Sequence, residues 1–330
     1  METARGRSTD RVFVIVVMGL VLALVASMSL VGRSFAQSAT PAATPAAAVA
    51  PVSIAPDLAV ITVTAKEDVF SIAVPTSGVI EGDFAVELVN KTANKITNAN
   101  FVKLPEGTSV GDFTSVLAKA FKGEGGELPA WWSSAKATFA GGTFAAPGNT
   151  SQSIVNLSAG RWVVFSSNPA GVQSAQVINV VTAAEANGET AATPVPGATP
   201  VAAASPVAKS LPSDNQFTIT GSGFDTASDL SAGQKVFEVT NTTNQVRDLV
   251  IIKVEGTVDE AAATKLAGAF SRGDTVNGLV VGGVGALSPH GVAYAGAALE
   301  SGTYVIFSSL PDASGGLQSA HGAVKVVTVP

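Results

Sequence analysis

What this chain does without narrows what it can do. There is no cysteine among its 330 residues, so it has no disulfide, no thiolate nucleophile and no thiolate metal ligand. Its three methionines, Met1, Met18 and Met28, all stand near the N-terminus, and only two histidines occur, His290 and His321. Charged residues make up only 13% of the chain and its net charge is −6, which leaves no basic footprint for nucleic acid or an anionic membrane surface. A phosphate-binding loop is missing too, because the GGVG at Gly282–Gly285 is not followed by a helix and lysine. Ser288 near His290 is the one serine–histidine proximity, and no carboxylate beside it would orient the ring. The expectation is a protein that is not an enzyme and carries no cofactor.

What is present begins with an address. Arg5, Arg7 and Arg11 precede an apolar run from Val12 to Val31, and Ser34 and Ala36 supply the small residues of a cut after Ala36. Residues 1–36 therefore read as a secretory signal; the alternative is a retained anchor, since a run of ~20 apolar residues can span a bilayer. Either way the remainder is expected outside the cytoplasm, secreted or tethered, and touching the membrane only through this segment. If the leader is cut, no sulfur ligand of any kind remains.

Two stretches rich in Ala, Pro and Thr, 37–56 and 185–213, have no periodicity and read as disordered linkers. Between and after them lie two modules, 57–184 and 214–330, with the same order of parts. Each opens on an alternating strand leading to a Phe (Phe70, Phe224) and continues to a strand ending in Asn (Asn90, Asn241). Each then has a short helix. In the second module Thr257 and Glu260 suggest a capping box, with Val258, Ala262, Leu266 and Phe270 on one stripe; in the first Ser109 caps and Phe113, Leu117 and Phe121 repeat the spacing. Paired glycines follow (Gly141–Gly142, Gly282–Gly283), then Pro147 or Pro289, then two closely similar hairpins, Leu157–Val181 and Leu299–Val329. Many short strands with one helix per module predict an all-β chain of two tandem β-sandwiches.

The Asn-ended strand, the helix-bearing connection, the glycine pair before a Pro turn, and the L-x-x-G-x-Y/W-V-x-F strand followed by a Pro/Gly loop resemble the cupredoxin-like fold of the blue-copper proteins. The resemblance covers nearly all of both modules and implies a Greek-key sandwich for each. In that family copper is held by two His, a Cys and a Met. Carried over by position, the first His falls on Arg247 and about Thr97, the Cys on Ser308 and Ser166, the second His on Gln318 and Gln173, and the Met on Ala323. A type 1 site needs a thiolate with imidazoles, whereas a serine hydroxyl is a weak neutral donor and arginine is never a ligand. The copper chemistry implied by the resemblance is therefore lost from both modules. The shared Ser and Gln either seal the old site by bonding to one another or leave a small polar pocket for a neutral ligand.

Two further candidates stand apart from that comparison. His290 and His321, with Asp312, could form a loose Zn(II) or Cu(II) site, which is the basis of an alternative copper-binding or electron-transfer reading; the contrary reading is two solvated loop histidines. Trp131–Trp132 lies in a connection about eight residues longer than its counterpart (Phe121 to Gly141 against Phe270 to Gly282). It is read either as a platform for an extracellular protein or glycan, or as a plug with one ring buried and one on the surface. Asn-x-Ser/Thr sequons occur at Asn90, Asn149, Asn156 and Asn241, but Asn90 and Asn241 share one turn, so turn geometry accounts for them better than glycosylation. The sequence thus points to an exported, non-enzymatic binding or cell-envelope protein.

Overall fold

The alternation read in the sequence is realised in the strand that opens each module of the structure, a computed structural model describing residues 53–121, 128–133, 136–168, 174–188, 211–226 and 229–330. In β1 (Val60–Lys66), for example, Ile61, Val63 and Ala65 are fully buried while Thr62 and Thr64 are not. The first module continues with β2 (Val69–Ala73), β3 (Val79–Ile80), β4 (Gly82–Asn90), β5 (Thr97–Lys103), helix α1 (Val110–Phe121) and the single turn α2 (Ala130–Ser133). It is completed by β6 (Thr138–Ala145), β7 (Thr150–Leu157), β8 (Gly160–Phe165), β9 (Ala175–Val181) and a helical turn α3 (Ala183–Ala186). The second module has β10 (Asn215–Thr220), β11 (Gly223–Thr226), β12 (Gly233–Asn241), β13 (Arg247–Val254) and helix α4 (Glu260–Ser271). It ends with β14 (Leu279–Leu287), β15 (Val292–Leu299), β16 (Gly302–Phe307), a 3-10 turn (Gln318–His321) and β17 (Val324–Val329).

Each module is an all-β, cupredoxin-like sandwich, with β1 parallel to β4 in one and β10 parallel to β12 in the other. The sheets do not stop at the module boundary. One runs β11-β10-β12-β15-β7-β4-β1-β2 and the other β17-β16-β13-β14-β6-β5-β8-β9-β3. Apart from β3 these orders are palindromes of equivalent strands. The mirror point is the pairing of β7 with β15, where Ser153 faces Ala295, each the fourth residue of its strand. A tandem repeat has folded as a pseudo-two-fold pair in one compact unit, Ala47–Pro330. Joining β6 to β14 and β7 to β15 removes four exposed sheet edges, whose unpaired backbone groups would otherwise invite aggregation.

Glycine allows close approach both within each module and across the junction. Gly142 (φ +145°) and Gly283 (φ +147°) adjoin equivalent bulges, and a Cβ there would lie 1.8 Å from the Ala99 carbonyl oxygen and 2.1 Å from that of Leu249, each in its own module; across the seam a Cβ on Gly285 would lie 2.1 Å from Asn100 Oδ1. Across the seam Asn100 Oδ1 accepts from Ala286 N at 2.8 Å, and Ser288 Oγ accepts from Phe139 N at 2.7 Å.

Among the described residues there are five apolar clusters, a small one of Ile154 and Tyr294 over the seam and four larger ones. Two fill the sandwiches, one containing Val63, Phe101 and Trp162, the other Phe217, Ile251 and Tyr304. The other two lie between the long-sheet surface and the helices, and each crosses the seam. Beneath α1, Phe113, Leu117 and Phe165 share a cluster with Val246, Ala286 and Leu310 of the second module. Beneath α4, Ala263, Ala267 and Phe270 share one with Phe144 and Ala146 of the first. Each helix therefore covers its own sheet and also the far end of its neighbour.

Local expectations are adjusted in three places. Helix α4 is capped by Asp259, whose side chain accepts from Ala262 N, rather than by Thr257. Its buried stripe is Ala263, Ala267 and Phe270, with Ala262 exposed, because the helix starts two residues later than the proposed box. Ser109 does cap α1, its Oγ accepting from Asp112 N at 3.0 Å. The expected linkers 37–56 and 185–213 carry structure at their described ends. Thr182 and Glu185 form a capping box on α3, and Ile54, Ala55, Leu58 and Leu211 pack on Ile154 and Tyr294 over the seam. The rest of both segments, like residues 1–36, lies outside the described residues.

Candidate functional site

The residues that the sequence resemblance aligned with copper ligands lie, in the second module, in a closed polar network. β13 brings in Arg247 and Asp248, the end of β16 leads to Ser308 and Ser309, and the 3-10 turn delivers Gln318. All five are buried, none more than 8% exposed. Gln318 Oε1 accepts from Ser308 Oγ at 2.6 Å and from Arg247 Nη1 at 3.1 Å, while its Nε2 donates to the carbonyls of Val246 (2.9 Å) and Pro311 (3.0 Å). Asp248 takes Ser309 N at 2.8 Å on Oδ1, with Ser309 Oγ bonded to Oδ2, and its Oδ1 lies 2.6 Å from Ser308 Oγ. Ser308, Gln318 and Arg247, named from the sequence, are thus brought together and bond to one another.

The site carries a proton question. Ser308 Oγ sits 2.6 Å from both Asp248 Oδ1 and Gln318 Oε1, and one hydroxyl proton cannot serve two acceptors. A protonated Asp248 resolves this by donating to Ser308, which then donates to Gln318. The electrostatics agree: complete burial pushes the Asp248 carboxyl above its ordinary range, outweighing the hydrogen bonds from Ser308, Ser309 and Leu310. Burial likewise lowers Arg247 from its ordinary value, against the pull of Asp248 and Asp312. Its Nε is buried with no hydrogen-bond partner.

The first module repeats the arrangement without charge. Asn98 replaces Asp248: its Oδ1 accepts from Ser166 Oγ (2.9 Å) and Ser167 N (2.8 Å), and its Nδ2 donates to Ser167 Oγ (2.7 Å). Thr97, in the place of Arg247, has a buried Oγ1 without a partner. Gln173 lies outside the described residues. Sequence comparison with the copper ligands missed Asp248 and Asn98, because they follow the aligned His position by one residue. The available signal was a pair of polar residues opening strands that are otherwise largely apolar, TNANFVK and RDLVIIKV.

This donor set does not fit type 1 copper. A guanidinium stands where an imidazole is needed, a hydroxyl where a thiolate is needed, and the amide of Gln318 has every position in use. Ala323, in the Met position, is buried and apolar.

The displaced metal site is not assembled either. His321 Nδ1 lies 2.7 Å from Asp312 Oδ2, but His290 does not join them, and no three of His, Asp and Glu gather into a metal-sized group among the described residues. His290 is exposed at φ +60° in the turn closed by Gly291 N to Ser288 O. Asp312 is committed to its own loop, where it binds Ser314 and Gly316 as well as His321; these bonds outweigh its partial burial and hold its carboxyl below the ordinary range. Ser288 is a buried seam residue whose Oγ accepts from Phe139 N at 2.7 Å.

Trp131–Trp132 is not an exposed pair. Trp132 is 2% exposed and meets Phe139 edge-on at 5.4 Å, so its reading as a binding residue is corrected to a core plug; Trp131 is half-buried against Phe113 at 5.7 Å. The connection that carries them reaches the other module, where Leu128 N donates to Ala313 O at 3.0 Å. Asn90 and Asn241 are buried in matching turns. Each donates to two or more carbonyls and accepts from the Thr of its own sequon, Thr92 or Thr243.

No family model matches this sequence, and no curated protein matches it. Solved structures similar to it include reduced auracyanin from the photosynthetic bacterium Roseiflexus castenholzii (24% identity over 35% of this chain and 94% of that one, TM-score 0.26). Auracyanin A from Chloroflexus aurantiacus, a "blue" copper protein, aligns at 15% identity over 40% of this chain and 99% of its own, with TM-score 0.27. Over a longer span, the laccase from Botrytis aclada aligns at 9% identity with 76% of this chain and 52% of its own, TM-score 0.20.

Proposed function

We propose that this is an exported, non-enzymatic binding or cell-envelope protein, in which two cupredoxin-like sandwiches have given up copper and become one rigid block on N-terminal and internal tethers. The observation that carries this reading is the closed network of Asp248, Ser308, Ser309, Gln318 and Arg247, with its neutral counterpart around Asn98. A site serving electron transfer keeps soft ligands and access for a metal. Here the same positions hold a guanidinium, hydroxyls and an amide that bond chiefly to one another, with Arg247 Nε and Thr97 Oγ1 left without partners. The apolar leader favours export, and the lack of a nucleophile with a poised base favours binding over turnover.

Calorimetric titration of the purified protein with Cu(II) and Zn(II) tests the reading. The expected result is no stoichiometric binding and no charge-transfer colour. Micromolar binding that disappears in His290→Ala/His321→Ala would replace this reading with metal handling. Fractionation of the expressing cells tests export, and retention of the full-length chain in the cytoplasm would defeat that part.

A further inference from the structure

The two halves of the molecule differ in one place where the pseudo-two-fold predicts likeness. On one side of the seam, the long connection between α1 and β6 buries Leu128 and Trp132 in a cluster with Val246 and Leu310 of the second module. On the other side the equivalents of Val246 and Leu310 are Ile96 and Asn168, and the connection between α4 and β14 is about eight residues shorter (Phe270 to Gly282 against Phe121 to Gly141). No indole is supplied there. A cavity of about 240 Å³ stands between the two modules, walled by Ile96, Ala146, Phe270, Val276 and Leu279. That is smaller than the ~300–1,000 Å³ of drug-sized sites and suits a ligand of one or two fused rings.

We propose that this cavity binds a small, uncharged, planar aromatic molecule with a hydrogen-bonding edge, which takes the place that Trp132 fills on the opposite side. The shape argument comes from the molecule itself, since the same frame closes around an indole where the chain provides one. The chemistry of the walls agrees. Phe270 is buried at the base and offers a ring, while Leu279, 38% exposed, is one of the few large apolar side chains left uncovered. The polar groups at the cavity are Asn94, Asn168, Asp274 and Thr275. Asp274 pairs with Arg272 at 3.3 Å on the exposed rim and is the charged group of the lining, which disfavours an anionic ligand. Where module two has Leu310, module one has Asn168, buried and donating Nδ2 to the Ile96 carbonyl at 3.1 Å, so it fixes the wall, and the exposed Asn94 and Thr275 at the lining meet the polar edge of a ligand.

The inference deepens the binding reading above and rests on it, but its test involves no metal. The probe is N-phenyl-1-naphthylamine, neutral and fluorescent when buried, titrated into the purified full chain, with indole as competitor. Saturable binding of one probe per chain, displaced by indole, is expected. Val276→Trp, which places an indole in the cavity from within, is expected to weaken binding at least tenfold without lowering the unfolding midpoint, and Trp131→Ala to leave it unchanged. Leu279→Glu, at an already exposed position, is a second blocking variant that does not depend on repacking. Absence of saturable binding, or binding unaltered in both blocking variants, overturns the proposal while leaving the copper-free reading in place. A positive metal titration would defeat that reading and leave the cavity result standing.

Discussion

Asp248 is the residue whose burial gives the polar network measurable chemistry. Its folded pKa lies above the unfolded value of about 3.8–3.9, so between the two the native state binds more protons than the unfolded state. Stability contributed by the protonated acid is complete below the unfolded value and is lost as pH rises through the folded one. Asp312, held low by Ser314, Gly316 and His321, acts in the opposite sense: its contribution is present above the unfolded pKa and lost as pH falls through the folded one. Urea unfolding at a series of pH values should therefore show a decline above pH ~4 that vanishes in Asp248→Asn, which mimics both the protonated acid and the natural Asn98. Asp248→Ala should cost about 3 kcal/mol, because Ser308 and Ser309 lose a buried acceptor. A pH profile identical in the parent and Asp248→Asn would show that Asp248 does not titrate in this window.

The helix-bearing connections differ more than the strands they join, and that difference governs both packing and the open cavity. Trp132 in α2 is a buried plug in a cluster drawn from both modules, whereas its neighbour Trp131 lies half-exposed against Phe113. Truncation to alanine should separate them. Trp132→Ala is expected to cost about 3–5 kcal/mol, the range for a large buried aromatic, and Trp131→Ala about 1 kcal/mol. Denaturant unfolding of the two variants checks this, and equal losses would mean that the pair acts as one platform. In α4 the corresponding connection ends without such a plug, so the same deletion has no counterpart there.

For the molecule as a block, the continuous sheets predict cooperativity. β6 and β7 pair with β14 and β15, and Asn100, Phe139, Ala286 and Ser288 exchange hydrogen bonds across the seam. Neither half can unfold without exposing two sheet edges and an apolar cluster of the other. Calorimetry should give a single transition with equal calorimetric and van't Hoff enthalpies. The first half expressed alone, residues 53–188, should be less stable and prone to associate through β6 and β7. Two separate transitions, or a monomeric first half as stable as the whole, would show that the seam adds little.

Much of this was determined by local order along the chain. Alternation in β1 and β10, the Asn–Thr turns at Asn90 and Asn241, the cap at Ser109 and the unsuitability of Arg247, Ser308 and Gln318 as soft ligands all follow from neighbours within a few residues or from side-chain chemistry alone. Three features did not. Asp248 was legible only as a polar residue in an apolar strand, since its partners are Ser308 and Ser309, some sixty residues away in sequence. The burial of Trp132 depends on Val246 and Leu310 of the other module. The palindromic joining of the two halves depends on Gly285 leaving room for the Asn100 side chain across the seam, and on equivalent edges meeting at Ser153 and Ala295. A glycine pair in a sequence shows that close approach is allowed, but only the folded chain selects which backbone comes close, because edge pairing is won by whichever partner also buries the apolar surface beside it.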